Sequence, residues 1–289
     1  MNVFHPGELA VQRRAGQADI AEKVGRTVRT AIPEAAARFL AEQPMVVLAA
    51  VDDEGRPWVT QLAGAPGFLR ALDEYTLEIA AVPRRGDPLT PPDRPWRVGL
   101  LAVEPDRRRR MRANGTVRRI GDRLRMTVDQ VYSNCPKYIS RRHIVAVAEQ
   151  PPTDVRHGIE LDARQRAAIA AADAFFVGST DTAGRADASH RGGDPGFVEV
   201  RAPNRLYWPE YRGNSMFMTL GNLMVEPRCG VLIPDWDTGG LLHLTGTAEL
   251  SWATGPGGPA GVEFTVHAVA ERLAGPLRWS PPELSPVNP

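Results

Sequence analysis

Apolar and polar positions along this chain alternate in short stretches punctuated by turns about every ten residues, and β-branched residues are frequent within them. Such a pattern predicts many short strands rather than long helices. The order of the predicted elements repeats. IPEAAARFLAEQPMVVLAAVDDEG and LDARQRAAIAAADAFFVGSTDTAG each read as a helix, a strand and a turn. GRPWVTQLAGAPGF, from Gly55 to Phe68, then lines up without a gap on GRADASHRGGDPGF, from Gly184 to Phe197. Downstream, VGLLAVEP faces CGVLIPDW, Gly115 faces Gly246, and Thr127-Val128 faces Thr265-Val266. A repeat of this length marks two copies of one structural unit. Each copy reads helix, strand, hairpin, strand, connection and three more strands, which suits a closed or nearly closed antiparallel barrel without a long open edge.

The expected division is an N-terminal helical segment over 1–32, a first barrel over 33–145, a linker over 146–158 that carries Gln150-Pro151-Pro152, and a second barrel over 159–289. Two helices, Pro6–Arg29 and Pro33–Glu42, are expected before the first barrel. The length of 289 residues suits two domains. The 27 glycines and 26 prolines fit a turn-rich β protein. A net charge of +1 demands neither nucleic acid nor an acidic membrane as partner. Two cysteines, Cys135 and Cys229, fall in different copies, so a disulfide framework is not expected. No apolar stretch has the length of a signal peptide core or a membrane span, and the chain reads as soluble and cytoplasmic.

The copies diverge in three places. Copy two has LYWPEYRGNSMFMTLGNLMVEPRCGVL, in which Arg212-Gly213-Asn214 forms a turn and Ser215–Met224 a short helix capped at Asn214 or Ser215. Copy one has AAVPRRGDPLTPPDRP there, and its prolines replace the helix with an extended loop. The Gly-Asn turn offers several N–H groups to a phosphate, or it starts an ordinary surface helix. Copy two also has Ser189-His190-Arg191-Gly192 where copy one has Thr60-Gln61-Leu62-Ala63. The Arg191 fork suits a phosphate or a ring carbonyl, or belongs to a solvated strand face. After the last strand of copy one comes Asn134-Cys135-Pro136-Lys137-Tyr138-Ile139, which is either a tail that reaches the other copy or a structural segment around a buried thiol. The Arg107–Arg110 run reads as a solvated turn, and without aromatic neighbours it suggests no nucleic-acid surface. The six histidines have no metal-ligand spacing.

Together the Asp187–Phe197 strand, the Gly213–Leu223 turn and helix, and the Asn134–Ile139 tail resemble the FMN-binding split-barrel family, also called the pyridoxamine 5′-phosphate oxidase-like family, and its two-barrel branch in particular. The fold so implied is mainly β with α: tandem FMN-binding split β-barrels that pair within one chain as an intramolecular pseudo-dimer. The resemblance implies an FMN-dependent oxidoreductase acting on a small organic substrate, with deazaflavin or haem as alternative ligands. A non-catalytic flavin or haem carrier, or the partner of a separate reductase, is the alternative function. A reductase or a nicotinamide cofactor would serve as electron donor, and a homodimer is allowed. Carried over, Arg191 and Thr219 hold the phosphate, with Ser189, Gly192, Gly213, Asn214, Ser215 and Asn222 around it. His190 and Tyr211 lie nearer the ring or ribityl chain, and Cys135, Lys137 and Tyr138 cover the ring. The vitamin B6 oxidases carry a lysine where Thr219 stands, and their C-terminal Arg/His pattern is not evident, so that particular oxidase activity is not expected. One usable cofactor site per chain is expected, in copy two.

Overall fold

The computed structural model describes residues 3–149, 154–252 and 258–289. The N-terminal segment folds as α1 (Pro6–Arg14) and α2 (Ala18–Gly25). The single helix expected over Pro6–Arg29 is thus broken, and the break holds Gly16 at φ 65°. The helix α3 (Glu34–Glu42) precedes β1 (Met45–Val51), β2 (Pro57–Ala63), β3 (Leu69–Ala71), β4 (Thr76–Ile79), β5 (Trp96–Glu104), β6 (Arg109–Ile120) and β7 (Arg123–Ser133). Two short strands follow, β8 (Ile144–Val147) and β9 (Arg156–Gly158). Then come α4 (Ala163–Ala171), β10 (Ala174–Thr180), β11 (Ala186–Gly192), β12 (Glu199–Ala202), β13 (Arg205–Pro209), α5 (Met218–Val225), β14 (Arg228–Pro234), β15 (Leu241–Trp252), β16 (Pro259–Arg272) and β17 (Leu277–Trp279).

The protein is mainly β with few helices, and its sheets are antiparallel. The first sheet has the order β2-β1-β5-β6-β7-β4-β3, and the second has β11-β10-β14-β15-β16-β13-β12. The two orders are the same path traced twice. One apolar cluster gathers side chains from all seven strands of the first sheet, so that sheet curls around its own core. A second cluster gathers side chains from β10, β13, β14, β15 and β16 of the other sheet, with Val200 of β12 packed against it. The segment 146–158 expected to be a linker contributes β9, which pairs with β16, and the end of β8, which pairs with β17. Its Gln150-Pro151-Pro152 lies outside the described residues.

Period two decides how the sheets meet. On β1, Val46, Leu48 and Ala50 enter the first core, while Met45, Val47 and Ala49 join a third cluster shared with Phe176, Ala188 and Leu232 of the second sheet. On β10, Phe175 and Val177 face the second core and Phe176 faces the shared layer. The central strands are therefore buried on both faces, like those of a sheet covered on two sides. Three glycines let the backbones come close. A Cβ on Gly99 would lie 2.5 Å from Asp187 Cα, one on Gly230 would lie 2.8 Å from Pro57 O, and one on Gly178 would lie 2.6 Å from Val59 Cγ2. Gly99 of β5 meets β11, and Gly230, its counterpart on β14, meets β2, so the contact is reciprocal.

Between β4 and β5 the proline-rich segment carries no helix, whereas α5 occupies the matching place between β13 and β14. The helix starts later than expected. Its N-cap is Phe217, at φ 56°, and Asn214 instead folds back so that its Oδ1 accepts from Met216 N at 3.2 Å. Among the described residues, no helix is long and apolar enough to cross a membrane.

A methyl group at Gly230 must push backbone apart, an overpacking cost of about 1–3 kcal/mol. Gly230→Ala is expected to lower the urea midpoint accordingly. Gly213→Ala, which meets open space, is expected to stay within about 0.5 kcal/mol of the parent. Equal midpoints for the two variants would contradict the close sheet contact.

Candidate functional site

The same register that buries the sheet contact lines up a polar row. On β6, Arg110, Arg112 and Asn114 are alternate residues and so point to one side of the strand, toward β11. The buried Arg112 donates from Nη1 to Asp187 Oδ2 at 2.9 Å and to the Tyr132 hydroxyl at 3.0 Å, and from Nη2 to Ser189 Oγ. Asn114 Nδ2 donates to Asp187 Oδ1 at 3.2 Å. Ser189 continues the chain to Thr219 Oγ1 at 2.5 Å, which links the first sheet through the second to α5. The partners satisfy most of the buried polar atoms, as an ion pair removed from water requires. Arg112 stays firmly charged: burial alone would lower its pKa, but the Asp187 and Tyr132 contacts outweigh burial and raise it.

Beyond this network opens a cleft of about 850 Å³, its mouth included. Arg110, Arg112, Asn134, Cys135, Lys137 and Tyr138 line it from the first half of the chain, and His190, Arg191, Gly192, Tyr211, Gly213, Asn214, Ser215 and Thr219 from the second. Eleven of the thirteen residues singled out from the sequence line this cleft, and two face elsewhere. Ser189 lies wholly buried in the polar network, and Asn222, on α5 itself, is bonded to Ser179 Oγ at 3.0 Å and to His5 Nε2 at 2.9 Å. The tail after β7 does reach the other half. Tyr138 Oη donates to Arg212 O at 3.0 Å, and the Tyr138 and Tyr211 rings stand 5.2 Å apart. Gly192 makes this approach possible, since a Cβ there would sit 1.9 Å from Tyr138 O.

The cleft is cationic. Arg191 Nε is held by Glu210 at 2.9 Å, and Arg112 by Asp187. Among the described residues, no carboxylate lies within ion-pair distance of Arg110. Its Nη1 instead donates to His190 Nδ1 at 2.9 Å. Because a guanidinium only donates, His190 accepts at Nδ1 and carries its proton on Nε2. Burial, then the charges of Arg110, Arg191 and Arg142, hold His190 neutral, well below the usual imidazole range. Burial and the neighbouring Arg112 and Arg191 push Arg110 down to about 9. Arg110 Nε and Asn134 Oδ1 are buried without hydrogen-bond partners among the described residues. The Arg107–Arg110 run is therefore only partly the solvated turn expected from the sequence. Arg107 and Arg109 are exposed, but β6 begins at Arg109 and carries Arg110 and Arg112 inward. The alternation Arg110-Met111-Arg112-Ala113-Asn114 was the available signal.

The N-terminal helices brace the far wall. Helix α1 crosses α5 where a Cβ on Gly7 would lie 2.2 Å from Gly221 O. Gln12 Nε2 donates to Met216 O at 2.9 Å, and Ser215 Oγ to Gln17 Oε1 at 2.5 Å, which fixes the turn that leads into α5. The first N–H bonded within that helix is Gly221's, to Phe217 O at 2.7 Å, so those of Met218, Thr219 and Leu220 precede it. Arg14 stacks 3.5 Å from the Trp252 ring centroid. Both cysteines are free, and burial raises the Cys229 thiol. Among the described residues there is no group of three His, Cys, Asp or Glu side chains that could hold a metal ion.

Residues 32–157 match the family model described as pyridoxamine 5′-phosphate oxidase. A search of curated proteins gives no match. Among solved structures the chain is similar to HupZ of Group A Streptococcus, at 12% identity over 41% of this chain and 98% of that one, with a TM-score of 0.31. It is also similar to HutZ, the haem storage protein of Vibrio cholerae, at 9% identity over 44% of this chain and 98% of that one, with a TM-score of 0.28. An FAD-binding protein of Mesorhizobium loti aligns at 14% identity over 42% of this chain and 99% of that one, with a TM-score of 0.29.

Glu8 gives the brace a pH dependence. It is buried, accepts from His5 N at 2.8 Å, and is pushed by burial to about 8, with Asp187 and Asp181 acting in the same direction. Between the ordinary value of 4.5 and about 8, the folded chain keeps a proton that the unfolded chain has released. Stability should therefore fall as pH rises through that window, by at most about 1.4 kcal/mol per pH unit from this group. Urea unfolding of Glu8→Gln should show a gain over the parent that grows from pH 5 to pH 8. A constant difference would show that Glu8 titrates normally.

Proposed function

We propose that the chain is an intramolecular pair of split barrels that binds one FMN in the cleft between them and acts as a flavin-dependent oxidoreductase on a small organic substrate. The observation that carries this reading is Arg110, a half-buried guanidinium whose Nε is buried and which has no acidic partner among the described residues; it lines the same cleft as the start of α5. Burying an unpaired cation is costly, and an anion at this spot offsets the cost. Arg110 and the leading N–H groups of α5 would hold the phosphate, with Thr219, Gly213, Asn214 and Ser215 around it. Arg191, already held by Glu210, would support rather than lead. Asn134 Oδ1 offers an acceptor and His190 Nε2 a donor to the ribityl chain or ring edge. Tyr138 and Tyr211, with Cys135 and Lys137, would cover the ring and exclude water.

Bound FMN supplies hydride and single-electron transfer, while the protein supplies binding, orientation and charge. The neutral His190 and the paired Arg112 and Arg191 leave the net positive charge of the cleft on Arg110 and Lys137, which favours an electron-rich reduced cofactor. A nicotinamide or a separate reductase would deliver electrons. Deazaflavin would use the same phosphate contacts. A flavin or haem carrier is the reading to which the protein falls back if no turnover follows binding.

Removing one charged hydrogen-bond donor costs about 1.5–3 kcal/mol, or roughly ten- to a hundredfold in affinity. In a fluorescence titration, Arg110→Gln is expected to weaken FMN binding by that factor, and Gln61→Ala, which in the other half stands at the position of His190, to leave it unchanged. Equal losses would contradict a single site. A purified protein that takes up no FMN sinks the proposal, and a Soret band points to haem.

A further inference from the structure

A second cleft lies where the repeat places the counterpart of the first. Gln61, Leu62 and Ala63 stand in the positions of His190, Arg191 and Gly192, and Leu241 stands in that of Arg110. This cleft is the larger, about 1470 Å³ with its mouth, against about 850 Å³ for the first. Leu62, Val82, Ile144, Leu241 and Leu277 give it apolar walls. Two polar groups face this lining without partners. Arg272 Nε and Gln61 Oε1 are buried and make no hydrogen bond among the described residues. Among the described residues, no carboxylate there lies within ion-pair distance of Arg272. The acid on the wall, Asp87, is already engaged: its Oδ2 accepts from Thr60 Oγ at 2.5 Å and its Oδ1 from Leu89 N at 2.9 Å. Arg84, exposed at the rim, adds a second positive charge.

A roomy apolar pocket with one unpaired guanidinium selects for an apolar body bearing one anionic group. The loss of the Arg110 and Arg191 counterparts removes what a phosphate would need. We propose that this second cleft binds an apolar monocarboxylate, with its carboxylate on Arg272, its chain along Leu62, Ile144 and Leu241, and room for a hydroxyl donating to Gln61. This site is separate from the flavin cleft and does not depend on the flavin reading.

The probe is dodecanoate, titrated calorimetrically into the full chain, with dodecanol as its uncharged counterpart. Saturable binding of one dodecanoate per chain is expected, about tenfold tighter than dodecanol. Arg272→Gln should remove that preference without changing dodecanol affinity, and Ile144→Trp, which fills the cleft, should weaken both. Circular dichroism checks that each variant is folded. Absence of saturable binding by the folded parent overturns the proposal. So does equal affinity for acid and alcohol, or an unaltered preference in Arg272→Gln. Displacement of FMN by dodecanoate would place the acid in the first cleft and overturn it as well.

Discussion

The whole arrangement depends on strands that must bury both faces. β1 and β5 send alternate side chains into the first core and into the shared layer, and β10 and β14 do the same from the other side. A strand of this kind cannot stand at a water boundary, because one apolar face would be left exposed. The two sheets therefore stabilise each other. Contact this close is available only where side chains are missing, and Gly99, Gly178 and Gly230 supply the gaps. Each half alone would leave Met45, Val47, Phe176 and Leu232 in water.

Close contact between sheets also has an electrostatic consequence. Polar side chains on the contact faces are taken out of water and must find partners there. Arg112 and Asp187 do so across the boundary, with Asn114, Tyr132, Ser189 and Thr219 closing the network. At the matching position of the second sheet, His243 Nδ1 bonds Val59 O at 2.7 Å, a neutral pairing that leaves nothing over. Arg110 has no such resolution. The row that begins with a satisfied ion pair ends at the cleft in an unsatisfied cation, and that gradient gives the cleft its chemical character.

Much of this was legible in the sequence because it follows from local pattern. The gap-free match of Gly55–Phe68 with Gly184–Phe197 corresponds to β2 and β11, which hold the same place in their sheets. The prolines between Pro83 and Pro95 leave copy one without the counterpart of α5. The tail at Cys135–Tyr138 reaches the other half, and Gly192 is the residue that admits it. What stayed hidden depends on neighbours distant in the chain. Nothing near Arg110 reveals that β11 lies across from it. The bond between His5 and Asn222 spans 217 residues, and it explains why Asn222 faces away from the cleft. The late start of α5 at Met218 comes from Phe217 and Ser215 in the left-handed region, held by Gln12 and Gln17 of the N-terminal segment. A sequence window around the helix contains neither glutamine.

The two clefts differ for a reason that follows from connectivity. In a homodimer with a two-fold axis, every substitution appears at both sites, so a change that spoils one spoils the other. A chain that carries both halves is free of that constraint. Leu62 and Leu241 can replace the counterparts of Arg191 and Arg110 on one side while the arginines stay on the other. The shared layer tolerates this divergence because its close backbone contacts are made at Gly99, Gly178 and Gly230, none of which lines either cleft. The sheet contact can thus stay nearly symmetric while the chemistry at its two ends drifts apart, one end lined by Arg110 and Arg191 and the other by Leu241 and Leu62.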